Sequence, residues 1–170
     1  MGEYTHIIHS FEPVYNENSR VLILGSLPSV KSREDGFYYG HPRNRFWKVI
    51  AAVTGRPTPF TIEEKKAFLL DSHIAVWDVI AECDIIGSSD ASIKNVRAAD
   101  ISVITALCPD IAVFTNGGTA STLYDKHILP KSKRPAVRLP STSPANAAWN
   151  TERLTEEWKK ALLPFLYPDT

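Results

Sequence analysis

The sequence predicts an α/β protein, a three-layer α/β/α sandwich around a four-stranded parallel sheet, folded as a single domain over residues 1–170. Three observations lead there. Short aliphatic runs alternate with segments of helical periodicity, the pattern of βαβ units. The first run, Val21-Leu22-Ile23-Leu24, is apolar without interruption, as a strand covered on both faces requires. The chain also carries 44% hydrophobic residues with no internal repeat or low-complexity linker, enough for one core.

The elements follow in order. The first strand spans 20–24. A helix is predicted over 44–53, with Phe46, Ile50 and Val53 at helical spacing, and Gly55, Pro57 and Pro59 end it. Thr61 and Glu64 make a capping-box pattern, so a second helix occupies 62–71. The second strand is 74–79. Residues 81–93, which include Gly87-Ser88-Ser89-Asp90, read as a long loop, and 96–107 as a third helix stopped by Pro109. The third strand, 111–114, leads through the turn Asn116-Gly117-Gly118 into a helix ending near Tyr124. The fourth strand is 136–139. A loop with two prolines spans 140–150, and a last helix spans 152–165, with Leu154, Trp158, Leu162 and Phe165 on one stripe.

Composition narrows the function classes. Cys83 and Cys108 lie far apart and cannot supply a four-thiolate cluster or zinc site, so free buried thiols and no metal are expected. The segment Met1-Gly2-Glu3-Tyr4-Thr5-His6 lacks the basic and apolar parts of a secretion signal, and no apolar run reaches membrane length; a cytoplasmic monomer is the expectation. Net charge is zero, yet Lys31, Arg33, Arg43, Arg45 and Lys48 concentrate positive charge in one stretch, and a second basic group runs from Lys126 to Arg138. Local charge of this kind can bind phosphate on a neutral protein.

In parallel sheets ligands bind beyond the carboxyl ends of the strands. Gly25-Ser26, Asp78-Val79, Asn116-Gly117 and Pro140-Ser141 leave those ends, all polar or turn residues. Three segments around them can carry chemistry. In Gly25-Ser26-Leu27-Pro28-Ser29 a glycine admits close backbone approach and the serines can donate to phosphate or carbonyl oxygen; a plain strand-exit turn would look similar. Phe37-Tyr38-Tyr39-Gly40-His41-Pro42-Arg43-Asn44-Arg45-Phe46-Trp47 gathers rings that can stack on a base and arginines that can meet phosphate, although Phe46 and Trp47 also suit the core and His41 or Asn44 could cap the helix. Pro140-Ser141-Thr142-Ser143-Pro144-Ala145-Asn146 suits a narrow loop against a sugar–phosphate backbone, or an ordinary surface loop.

Taken together, these segments resemble the uracil-DNA glycosylase superfamily. Its mismatch-specific branch carries Gly-Ile-Asn-Pro-Gly, His-Pro-x-Asn-Arg-Phe-Trp and a Pro-Ser loop in this order. The hypoxanthine-DNA glycosylase family resembles the chain most, through Gly-Ser-x-Pro-Ser at 25–29 and Tyr-Tyr-Gly-His-Pro-Arg-Asn-Arg-Phe-Trp at 38–47. The resemblance spans about Val21 to Ala147. It implies a base-excision repair enzyme that needs no cofactor and cleaves the N-glycosidic bond of a flipped, deaminated base in DNA, leaving an abasic site.

At the position where the mismatch-specific enzymes place a water-holding Asn, this chain has Leu27, which can neither donate nor accept a hydrogen bond. The resemblance gives the catalytic role to Asn44 instead. It implies base contacts from Gly25, Ser26, Leu27, Phe46, Asp78 and Asn116. The DNA contacts it implies are Ser29, Lys31, His41, Arg43, Ser141 and Ser143, with Pro144, Ala145 and Asn146 as a wedge. Asp78 stands where uracil-specific relatives have an Asn. An ionised carboxylate only accepts, which suits the N1–H of hypoxanthine, although Asp78 could instead bond the loop amides of 88–92. A uracil or mismatch preference, a lesion-binding protein without catalysis, and an unrelated α/β phosphate-ester hydrolase are the alternatives; the last would want a P-loop or clustered carboxylates, and the sequence has neither.

Overall fold

The structure is a computed structural model that describes residues 2–168. In chain order its elements are β1 (Thr5–Ile8), β2 (Val21–Gly25), α1 (Val30–Asp35), α2 (Phe46–Thr54), α3 (Ile62–Asp71), β3 (Ile74–Asp78) and β4 (Ile80–Ile85). A short 3-10 turn at Asp90–Ser92 precedes β5 (Lys94–Ala98), α4 (Ser102–Thr105), β6 (Ala112–Asn116), α5 (Gly118–His127), α6 (Leu129–Ser132), β7 (Ala136–Leu139) and α7 (Thr151–Leu166).

The central sheet is parallel, with strand order β3-β2-β6-β7. Alternate residues of β2 face opposite sides, as the two-residue strand period dictates. Val21 and Ile23 join a core with α2, α3 and α7, while Leu22 and Leu24 join a second core with Ile101, Ile104, Tyr124 and Ile128. That division is the predicted three-layer arrangement. All five residues of β2 are buried, which explains a run with no polar alternation. The capping box of Thr61 and Glu64 forms as predicted and starts α3.

Asn150 caps α7 by accepting from the Arg153 N–H. The apolar stripe of α7 ends on Leu166 rather than Phe165: Leu154, Trp158, Leu162 and Leu166 are fully buried, whereas Phe165 is half exposed. Each fully buried side chain of this size is worth about 1.5–3 kcal/mol relative to exposure. The Trp158 indole also donates to the Pro140 carbonyl at 2.9 Å and so ties α7 to the loop after β7.

The structure departs from expectation between residues 81 and 107. The expected loop holds β4, and the expected helix holds β5 and the single turn α4. With β1, these strands make a separate antiparallel sheet of order β1-β4-β5. The physical signal was present: Ile80, Cys83 and Ile85 face inward while Glu82 and Asp84 face outward. His6 on β1 bridges both carboxylates, at 3.0 and 2.8 Å. A half-solvated antiparallel strand mixes charges into its run, so it lacks the unbroken aliphatic signal of β2.

Register places the functional ends of the parallel strands level with one another. Gly25 pairs with Asp78 and Asn116 with Leu139. The chain segments leaving these four residues surround one opening.

Candidate active site

That opening is a cleft of about 870 Å³, lined by 25–29, Tyr39, Asn44, Asp78, Asn116–Thr119 and parts of 138–149. It falls in the size range of ligand pockets, about 300–1,000 Å³. Gly25 forms its floor. A Cβ there would stand 2.5 Å from Asp78 Oδ1 and 3.1 Å from the Tyr39 hydroxyl, so no larger residue fits without displacing them.

Asp78 is buried, and its Oδ2 accepts from His9 Nε2 at 2.8 Å; both side chains are nearly inaccessible, at 6% and 5% exposure. His9 is held in turn by the Phe11 ring, 4.5 Å away. The partner of Asp78 is therefore His9 and not the 88–92 loop. His9 stands before the first motif with no spacing to announce it, and sequence reasoning missed it.

The aromatic wall corrects an expectation. Phe46 begins α2 and points into the core with no exposed surface, so it does not line the cleft. Tyr39 covers it, with ring centroids 3.9 Å apart and planes 15° from parallel. Tyr39 adopts φ 52°, a left-handed backbone that costs a non-glycine residue energy and persists where surroundings enforce it. Trp47 helps enforce it: its indole, buried as the core reading expected, donates to the Tyr38 and Tyr39 carbonyls at 3.3 and 3.2 Å. The Tyr39 hydroxyl is buried with no hydrogen bond of good geometry, the Asn116 side chain standing close to it. Burial and the Asp78 charge push its phenol well above the ordinary tyrosine value, with the Asn116 side chain acting weakly the other way, so it stays protonated.

Asn44 and Asn116 both reach the cleft and are linked through Thr142, which is fully buried and had not been singled out. The Asn44 Oδ1 accepts from the Phe46 N–H at 3.0 Å and from the Thr142 hydroxyl at 2.8 Å. Thr142 in turn accepts from Asn116 Nδ2 at 3.0 Å and donates its own N–H to Asn116 Oδ1 at 3.1 Å. Asn44, one residue before the N-cap Arg45, thus satisfies the first N–H of α2 and also faces the cleft.

The loop after β7 is shaped by its own hydroxyls. Ser141 Oγ accepts from the Ser143 N–H, Ser143 Oγ from the Ala145 N–H, and Asn146 Nδ2 donates to the Ser141 carbonyl. Pro144 and Ala145 are exposed at its tip. Arg45 is an internal anchor and not a free phosphate contact: its guanidinium donates to the carbonyls of Ser143, Asn146 and Trp149, and its Nε to that of Thr142.

Ser26, Leu27 and Ser29 line the cleft, although the Ser29 hydroxyl also caps α1 by accepting from the Ser32 N–H. Lys31, His41 and Arg43 do not line it. Lys31 pairs with Asp35 at 3.1 Å on the surface, and His41 Nδ1 accepts from the Arg43 N–H, holding the turn into α2. Arg138, which sequence reasoning placed only in a general basic group, lies over Gly118 at the cleft's other end. Among the described residues no three His, Cys, Asp or Glu side chains stand together as metal ligands, and no helix is long and apolar enough to cross a membrane.

The profile of the Uracil DNA glycosylase superfamily matches residues 12–166. A protein of Methanosarcina acetivorans named hypoxanthine DNA glycosylase is 32% identical over 154 residues, covering 90% of this chain and 96% of its own. One of the same name from Methanosarcina barkeri is 31% identical over 116 residues, covering 68% and 73%. A solution NMR structure of a Methanosarcina acetivorans protein, provisionally described as a uracil DNA glycosylase, superposes with a TM-score of 0.77 at 32% identity, covering 92% of this chain and 96% of that one. The chain belongs to the uracil DNA glycosylase superfamily.

Proposed function

We propose that this protein excises hypoxanthine from DNA by hydrolysing its N-glycosidic bond, leaving an abasic site. The observation that carries this reading is Asp78, a buried carboxylate held by His9 at the floor of the cleft beside Gly25. A carboxylate accepts hydrogen bonds and offers none, so it favours a base edge that presents N–H, as N1–H of hypoxanthine does. Uracil also carries an N–H, but flanked by two carbonyl oxygens that a carboxylate repels. The names of the two Methanosarcina relatives point the same way.

In this reading the lesion is flipped out of the duplex and lies against Tyr39 where it lines the cleft. The exposed Pro144-Ala145 tip fills the vacated space, Ser141 and Ser143 lie near the flanking phosphates, and Asn44 faces the reacting sugar. Bond cleavage develops positive charge on the sugar and negative charge on the leaving base, and preorganised donors at the base lower that barrier. The cleft is complete within one chain, which supports action as a monomer. The test is a panel of duplexes carrying hypoxanthine, uracil or xanthine, with abasic products revealed by alkaline cleavage. Hypoxanthine excised fastest is the expected result. Uracil excised faster, or no product from any duplex, overturns the proposal.

A further inference from the structure

The polarity of the Asn44–Thr142–Asn116 chain follows from obligate donors at its two ends. A backbone N–H can only donate, so the atom of Asn44 facing the Phe46 N–H must be its oxygen, and the atom of Asn116 facing the Thr142 N–H must be its oxygen. The Asn116 amide nitrogen therefore gives its proton to Thr142 Oγ1, and the Thr142 hydroxyl has one place left for its own: Asn44 Oδ1, 2.8 Å away. Both lone pairs of that oxygen are then occupied. The Asn44 NH₂ group meets no protein acceptor among the described residues, and the residue lines the cleft.

We infer that Asn44 enters the reaction as a hydrogen-bond donor and takes no proton from water, and that Thr142 is the positioning residue that makes it so. An amide whose oxygen already accepts twice cannot accept a water's proton. Its N–H groups can hold a water by its oxygen or steady charge on the departing base. Thr142 is fully buried, and without its hydroxyl one of the two bonds that orient the amide is lost, so the amide can turn away. The inference rests on the assignment of Asn44 to the reaction made under the proposed function.

Three variants test it by single-turnover excision at pH 8, with affinity for an uncleavable lesion duplex measured alongside. Asn44→Asp keeps the shape and both accepted bonds but has no donor. It is expected to lose as much rate as Asn44→Ala, about 10²-fold, with any repulsion of phosphate by its charge appearing as lost affinity. Thr142→Val is expected to lower the rate about tenfold with binding nearly unchanged, the scale of one hydrogen bond of about 1.4 kcal/mol. Thr142→Ser, which keeps the hydroxyl, is expected to stay near wild type. An Asn44→Asp rate more than about tenfold above that of Asn44→Ala overturns the donor role. Wild-type rate in Thr142→Val, or a Thr142→Ser rate as low as a variant without the hydroxyl, overturns the positioning role. An Asn44→Ala rate equal to wild type overturns the prior assignment itself, which keeps the two failures distinguishable.

Discussion

Gly25 offers the most direct perturbation of the cleft floor. In Gly25→Ala the new Cβ would lie 2.5 Å from Asp78 Oδ1, about 0.9 Å inside the 3.4 Å at which ordinary contact begins. It would also lie 3.1 Å from the Tyr39 hydroxyl. Neither neighbour can withdraw easily. The other Asp78 oxygen is bonded to His9 at 2.8 Å, and Tyr39 is stacked on the fully buried Phe46 ring. Overpacking of this kind costs about 1–3 kcal/mol, and a 170-residue domain loses about 3 °C in Tm per kcal/mol. The substitution is therefore expected to lower Tm by about 3–9 °C in a calorimetric scan. Because the displaced group is the proposed base reader, excision of hypoxanthine should fall at least about tenfold, one lost interaction of about 1.4 kcal/mol. A variant with unchanged Tm and a rate within twofold of wild type would refute the close approach and the reasoning built on it.

Three further outcomes are expected. Asp78→Asn restores a donor at the base edge, so the ratio of hypoxanthine to uracil excision should fall; an unchanged ratio on matched duplexes refutes recognition by Asp78. Replacing Pro144-Ala145 with Gly-Gly should weaken binding to a paired lesion more than to a single-stranded one, since only the duplex needs a wedge, and equal losses in a titration of both would contradict it. Arg45→Ala removes a guanidinium that holds four carbonyls of 142–149. It is expected to cost about 2–3 kcal/mol in urea unfolding and to speed amide exchange in that loop, and unchanged exchange there would show that the loop holds itself.

The parallel sheet was legible because its central strand β2 is buried on both faces and reads as an unbroken aliphatic run at 21–24, with short apolar runs beside it. β4 and β5 were not: each has one wet face, and the alternation is interrupted by irregular register. Around the cleft, glycine, proline and the ordered motifs pointed to Gly25, Asn44 and the 140–146 loop, and the structure brings Gly25, Asn44 and most of that loop to its lining. Phe46, expected against the base, turns into the core while Tyr39 lines the cleft, since a motif rich in rings does not say which ring turns inward. His9 acts through a contact 69 residues away and Thr142 through contacts 26 and 98 residues away, which no local pattern carries. The same holds for Arg45, whose charge suggested phosphate until its partners proved to be carbonyls of its own chain.

The central claim is that this cleft, through Asn44, releases hypoxanthine from DNA. It is tested most directly by incubating a deoxyinosine-containing duplex with excess wild-type protein or Asn44→Ala and measuring the free base by mass spectrometry over time. The account expects hypoxanthine at one equivalent per lesion from wild type, and release slowed about 10²-fold in the variant. No free hypoxanthine from the wild-type protein, or equal release from both, would contradict it.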